Sequence, residues 1–320
     1  SPVITAKVES LKTQAREEIA KIDGMGGMKA AIDSGYLKTS LVASMTRRMG
    51  RISSGEQIVV GVNKWTDGLP SPLMTGQDGG IFKINPAEIE ETLQNLKATR
   101  ARRDSGRVEA SLNALRAAAR KGQGLMEASI ECALARVTTG EWAGTLREVF
   151  GEYRPHTGID GQALRISSGK LEEVRQRVAE LSRKTGSRPR MVVGKPGLDG
   201  HSNGAEMIAV AARDSGFDVI YSGIRLTPAE IAHSAIEENA DVIGLSVLSG
   251  SHLELARQLV EELRNGGAEA IPVVMGGIIP SDDFAALKAC GVQEIFTPAD
   301  FDLVSIMDRI TAVVEAHKAR

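Results

Sequence analysis

At 320 residues, 42% of them hydrophobic and only 3% aromatic, the chain has room for two domains, or one large domain with an appendage, but few rings for a stacking cage. Its 39 basic and 41 acidic side chains leave a net charge of -2, which argues against nucleic acid as the main partner. Two cysteines, Cys132 and Cys290, offer neither a metal knuckle nor a disulfide scaffold and point to a reducing cytoplasm.

The chain opens SPVITAK without an initiator methionine, so a processed or shortened piece is expected. No signal segment or membrane-length apolar run follows, and no membrane partner is expected. Helical apolar spacing then marks residues 8–23, 28–55, 86–122 and 169–186. Between the second and third of these, GVNKWTDGLPSPLMTGQDGG (61–80) reads as an ordered excursion over a larger surface. The basic run KATRARRDSGR (97–107) has no interleaved aromatics and reads as a solvated helix face rather than a phosphate-binding surface. KTGSRPR (184–190) is the expected cut between two unlike halves. Beyond it, five short β-branched or apolar runs alternate with five amphipathic stretches: an α/β region with an open five-stranded parallel sheet covered on both faces, preceded by a mostly helical region.

In such a sheet ligands sit at the carboxyl ends of the strands. The first strand ends at Gly194, so VVGKPGLDGHSNG (192–204) puts Lys195, Asp199 and His201 at that edge, on a loop loosened by Gly197 and Gly200, with Gly204 permitting close approach. The glycines lack dinucleotide spacing, and no phosphate-loop lysine is present. The spacing instead provides an imidazole with a carboxylate two residues before it and a lysine four before that, the order in which a metal-bound histidine gives its other N–H to a carboxylate that a cation keeps charged. On this segment alone a surface histidine and a metal ligand both stand. Two further strand ends tilt the balance. Ser246 and Leu248, followed by Gly250, close the third strand, and Gly276 with Gly277 closes the fourth. Small residues at both ends make a slot for a long apolar-and-polar group.

These three segments resemble the cobalamin-binding domain of the adenosylcobalamin-dependent acyl-CoA mutases. The D-x-H-x-x-G pattern stands as Asp199-Gly200-His201-Ser202-Asn203-Gly204, S-x-L as Ser246-Val247-Leu248, and G-G as Gly276-Gly277, with Lys195 at the family's relay lysine. IDGMGGMKAAIDSGYLK (22–38) and SSGEQIVVGVNKW (53–65) are similar to the end of the family's barrel domain and the segment after it. CALARVTTGEWAGTLREVFGEYRPHTG (132–158) is similar to the ethylmalonyl-CoA mutase branch. The resemblance implies a flavodoxin-like cobalamin-binding domain at 190–320, a helical linker region at 91–189, and the tail of a barrel domain with the ordered excursion at 1–90. It implies adenosylcobalamin held with His201 as the lower axial ligand of cobalt, Asp199 and Lys195 as the supporting relay, Ser246, Gly276 and Gly277 near the nucleotide tail, and Gly200, Gly204, Leu248 and Gly250 as further cofactor-binding residues. It also implies a radical isomerase that interconverts ethylmalonyl-CoA and methylsuccinyl-CoA, completed by a preceding acyl-CoA-binding barrel of about 250 residues and forming a homodimer. No catalytic residue of that barrel falls within this chain, so the chain alone is expected to bind cofactor without turnover. Another acyl-CoA substrate, such as methylmalonyl-CoA, is an alternative. A non-catalytic corrinoid carrier or sensor is a second; a phosphoacceptor or flavin domain lacks its own marker residues here.

Elsewhere, His233 is expected on a helix face, His252 in a capping or surface role rather than in the groove, and His156 and His317 as structural or exposed. Cys290 is expected to be partly buried and unreactive, and Asp282 and Asp283 to be first-turn acids favoured by a helix dipole.

Overall fold

The computed structural model describes residues 1–68, 85–159 and 169–319. They form two compact units, Gly68–Arg154 and a larger one that joins Ser1–Asp67 to Pro155–Arg320. The last part of the 61–80 excursion lies outside the described residues.

The smaller unit holds α4 (Pro86–Arg102), α5 (Ser105–Arg120), α6 (Met126–Leu134) and α7 (Thr139–Phe150). The apolar spacing over 86–122 suggested one run, but it is broken at Arg103 and Asp104. Asp104 starts α5 by accepting from the Arg107 N–H at 3.0 Å, which satisfies an otherwise unpaired helix donor. Within the basic run, Arg100, Arg102 and Arg107 are exposed, as a solvated face requires. Arg103 is not: it forks onto Glu141 at 2.7 and 2.5 Å. Glu141 also closes the capping box of α7 with Thr138. The Arg103 hydrogen bond, outweighing burial and aided by Thr138, holds the Glu141 carboxyl down at about 2. A depressed folded pKa stabilises above the unfolded value near 4.5 and loses that contribution as pH falls toward 2. Glu141→Gln is therefore expected to cost about 2 kcal/mol at neutral pH and to flatten the acid limb of stability between those two values, as followed by circular dichroism during acid titration.

The larger unit contains α1 (Pro2–Gly24), α2 (Met28–Asp33), α3 (Tyr36–Ser53), α8 (Gly169–Thr185) and the alternating region. The single helical run read at 28–55 breaks at Gly35, whose φ of 73° places it in the left-handed region. The alternating region gives β1 (Arg190–Gly194), α9 (Asn203–Asp214), β2 (Asp218–Tyr221), α10 (Pro228–Glu237), β3 (Val242–Val247), α11 (His252–Asn265), β4 (Val273–Gly277), α12 (Phe284–Cys290), β5 (Val292–Phe296) and α13 (Leu303–Lys318). All neighbouring strands are parallel, in the order β2-β1-β3-β4-β5, the expected flavodoxin-like sheet. The order reverses between β1 and β3, so the crevice that receives ligands opens at their carboxyl ends.

Side chains alternate across the sheet. Val192, Ile243, Leu245 and Met275 point into a core closed by α10, α11 and α12. Met191, Val193, Val242 and Val274 point into the other, which α9 and α13 cover together with α8 and with Val42, Met45 and Met49 of α3. On this second face the alternation also places Gly244 and Ser246 of β3 and Gly276 of β4. Small residues at the end of two adjacent strands leave volume where the first face is filled by Leu245, Val247 and Met275.

Candidate functional site

The loop after β1 is pinned before it reaches its ionisable residues. Gly197 N–H donates to Leu226 carbonyl at 3.0 Å and Leu226 N–H to Lys195 carbonyl at 3.2 Å, extending the β1–β2 pairing by one bridge. Gly197 turns the chain at φ 84°, which a side chain would strain. Beyond that turn the loop folds back on Lys195. This lysine is fully buried, and its Nζ donates to Asp199 Oδ2 at 2.7 Å. The second carboxylate oxygen, Oδ1, accepts from the His201 backbone N–H at 3.0 Å and lies 2.6 Å from His201 Nδ1.

Burial opposes the charge on Asp199. The hydrogen bonds from Lys195, from the His201 ring and from the His201 N–H outweigh it and hold the carboxyl well below the usual carboxylate range. A carboxylate that stays charged takes the Nδ1 proton as a hydrogen bond, which leaves the Nε2 lone pair free. The ring carrying that lone pair is 82% exposed. The relay thus presents one oriented nitrogen to the outside, backed by a charge chain that ends in the core.

Beside it, on the α9 and α13 face, a cavity of about 330 Å³ opens at the carboxyl ends of β3 and β4, within the range of small-molecule and cofactor sites (about 300–1,000 Å³). Gly204, Ser246, Leu248, Gly276 and Gly277 all line it. A Cβ on Gly204 would stand 3.8 Å from Ser246 Oγ, so these two residues face each other across the slot. The structure thus gathers the sequence-predicted residues into two adjoining groups: the Lys195–Asp199–His201 relay, and the five residues of the slot. Gly200 belongs to the relay loop, where a Cβ would come 3.8 Å from the Arg225 guanidinium; Gly250 has nothing within 4 Å of a Cβ.

The two glycines of β4 have different reasons to be glycine. At Gly276 a Cβ would meet only the Cβ of Phe296 at 3.8 Å and its carbonyl at 4.0 Å. At Gly277 a Cβ would stand 2.8 Å from the Val247 carbonyl carbon and closer still to its oxygen, so backbone packing against β3 requires it whatever the slot holds. The sequence reading missed Met45 and Met49 of α3 and Phe296 of β5, which also line the cavity.

His252 departs from its expected capping or surface role. It is buried at the start of α11, with Nε2 2.9 Å from Asp283 Oδ2 and Nδ1 without a partner among the described residues. Asp283 correspondingly serves His252; it sits in a short 3-10 turn before α12 rather than in the first turn of that helix. His233 is exposed beside Glu237, His156 Nε2 reaches the Asp33 carbonyl at 2.8 Å, and His317 lies half-buried within α13. Burial pushes the Cys290 thiol up, consistent with an unreactive cysteine.

Comparison with known proteins accounts for both units. Residues 3–152 match the methylmalonyl-CoA mutase family and residues 189–304 the B12 binding domain family. The ethylmalonyl-CoA mutase of Methylorubrum extorquens is 51% identical over 98% of this chain and 45% of its own length, and that of Cereibacter sphaeroides 49% identical over 98% and 48%. A methylmalonyl-CoA mutase of Rhizobium meliloti is 36% identical over 96% of the chain and 43% of its own length. The chain spans less than half the length of these relatives. It is a homologue of ethylmalonyl-CoA mutase along nearly its whole length, with a methylmalonyl-CoA mutase family segment followed by a B12 binding domain.

Proposed function

We propose that this chain is the cofactor-holding portion of an adenosylcobalamin-dependent mutase that interconverts ethylmalonyl-CoA and methylsuccinyl-CoA in the cytoplasm. The observation that carries the reading is the oriented, exposed Nε2 of His201 at the end of the Lys195–Asp199 relay. Among the described residues no three His, Cys, Asp or Glu side chains gather into a metal-binding group. A single imidazole therefore fits a metal that arrives with its other ligands already in place, as cobalt does in a corrin. The slot fits the nucleotide tail, which needs an apolar recess with a polar point such as Ser246 Oγ and backbone that no side chain covers at Gly204 and Gly276.

When bound, the cofactor supplies the radical chemistry of the rearrangement. The residues of this chain bind and orient it. His201 Nε2 would ligate the cobalt, Asp199 fixing the ring and its tautomer and Lys195 keeping Asp199 charged. Residues 190–320 form the cofactor domain in this reading, 91–189 the linker region, and 1–90 the tail of the barrel domain that holds the acyl-CoA. Ile4, Val8 and Leu11 of α1, spaced as one helical stripe and exposed, support a larger body against that segment. The complete enzyme is a homodimer in this reading. The identity to two ethylmalonyl-CoA mutases, against 36% to a methylmalonyl-CoA mutase, favours the first substrate pair.

The test is titration of the purified chain with adenosylcobalamin in the dark, followed by visible absorption. Stoichiometric binding with the spectrum of a cofactor whose own base has left the metal is expected, with no acyl-CoA turnover by the chain alone. Binding with the base still coordinated, or no binding, would contradict the assignment.

A further inference from the structure

The helix α3 belongs to the segment that matches the mutase family, not to residues 189–304 that match the B12 binding domain. Its apolar face nevertheless lies on the cofactor side of the sheet. Val42 is buried in the same core as Met191, Ala205 and Phe296, and Met45 and Met49, one and two turns further on, line the slot together with Gly204 and Ser246. The hydroxyl of Thr46, on the same face, comes 3.9 Å from Met207 Sδ of α9.

What fixes α3 there is a polar contact onto a buried carboxylate. Glu206 of α9 is 2% exposed, and Lys38 of α3 brings its Nζ to 2.5 Å from Glu206 Oε1, a charge contact, while donating to Ser202 Oγ at 2.7 Å. Ser202 precedes α9 at the N-cap position yet makes no capping hydrogen bond to that helix. The residue directly after His201 is thus held by α3. Gly158 backs the arrangement: a Cβ there would stand 2.8 Å from the Lys38 carbonyl carbon. An ion pair between a half-buried lysine and a buried carboxylate, on segments so far apart in sequence, fixes where the two helices meet more than it adds stability.

We infer that α3 is the outer wall of the nucleotide-tail slot: Met45 and Met49 are cofactor-contacting residues contributed by the mutase segment, and Lys38 is the positioning residue that sets them there. The inference rests on the reading of the slot given above. Methionine suits such a wall, because an unbranched, polarisable side chain conforms to the ligand that enters. The B12-binding segment alone would then hold the corrin by its histidine but leave the tail open on one side.

The test compares cobalamin with cobinamide, the same corrin without the nucleotide tail, in spectral titrations of the whole chain. Met49→Trp, which fills the slot, is expected to weaken cobalamin about tenfold or more and to leave cobinamide unchanged. Met45→Ala combined with Met49→Ala removes the wall instead, and Lys38→Met releases it without touching the slot; both are expected to give the same selective loss. Should Met49→Trp fail to fold, judged by its thermal melt, these two variants carry the test. Equal loss for both corrins, or no loss for either, would overturn the inference. A wild-type chain that binds both corrins with equal affinity would instead overturn the tail-slot reading itself.

Discussion

Gly277→Ala is expected to lower stability by about 3 kcal/mol, measured as a fall in the urea midpoint at unchanged slope. The new Cβ would meet the Val247 carbonyl of the neighbouring strand, and backbone paired at the shared end of β3 and β4 cannot step aside as a side-chain end can. Gly204→Ala separates binding from stability. Its Cβ would have only Ser246 Oγ within 4 Å, at 3.8 Å, and alanine suits a helix better than glycine, so stability should hold or rise by up to about 1 kcal/mol. The same methyl narrows the slot, so cobalamin affinity should fall. If Gly277→Ala left the midpoint unchanged, the close strand packing described here would be wrong.

Asp199→Ala carries the second large effect. It would leave the Lys195 ammonium in the core without its carboxylate, and breaking a buried pair from one side costs about 3–5 kcal/mol. Lys195→Met together with Asp199→Ala should recover most of that loss, because the buried charge then disappears with its partner. The pH dependence follows the same logic. Asp199 has a folded pKa below its ordinary 3.8, so its contribution is complete above that value and drains away as pH falls through the folded one. The double variant should lack this acid-side loss. A double variant no more stable than Asp199→Ala would show that Lys195 is not the cause of the damage.

Much of this was legible in the residues. The change of period after residue 190 specifies five strands and five helices because each strand must be buried on both faces and each helix on one. The relay is local, spanning seven residues of one loop, so Lys195, Asp199 and His201 could be grouped before any fold was known. The slot residues could be grouped too, since strand ends converge by topology. What escaped was everything that depends on which surfaces meet. Val42, Met45, Thr46 and Met49 show an ordinary helical stripe, and nothing in that stripe says that it covers the slot at the ends of β3 and β4. His252 and Asp283 find each other across 31 residues. The glycine pair of β4 reads the same for a slot and for close strand packing, and only the position of the Val247 carbonyl tells Gly277 from Gly276. The break at Asp104 was readable after the fact, since Asp-Ser-Gly in the middle of a helical pattern is an N-cap signal.

The central proposal is that His201 would supply a nitrogen ligand to cobalt. The most direct measurement is electron paramagnetic resonance of the chain with its cobalamin reduced to the paramagnetic cobalt(II) state, prepared with natural-abundance and with ¹⁵N-labelled protein, beside His201→Ala. A hyperfine pattern that changes when the protein is labelled, and that vanishes in His201→Ala, is the predicted result. A pattern indifferent to the protein label would mean that the nitrogen comes from the cofactor's own tail, and one that responds to the label but survives in His201→Ala would assign it to another residue; either contradicts the account.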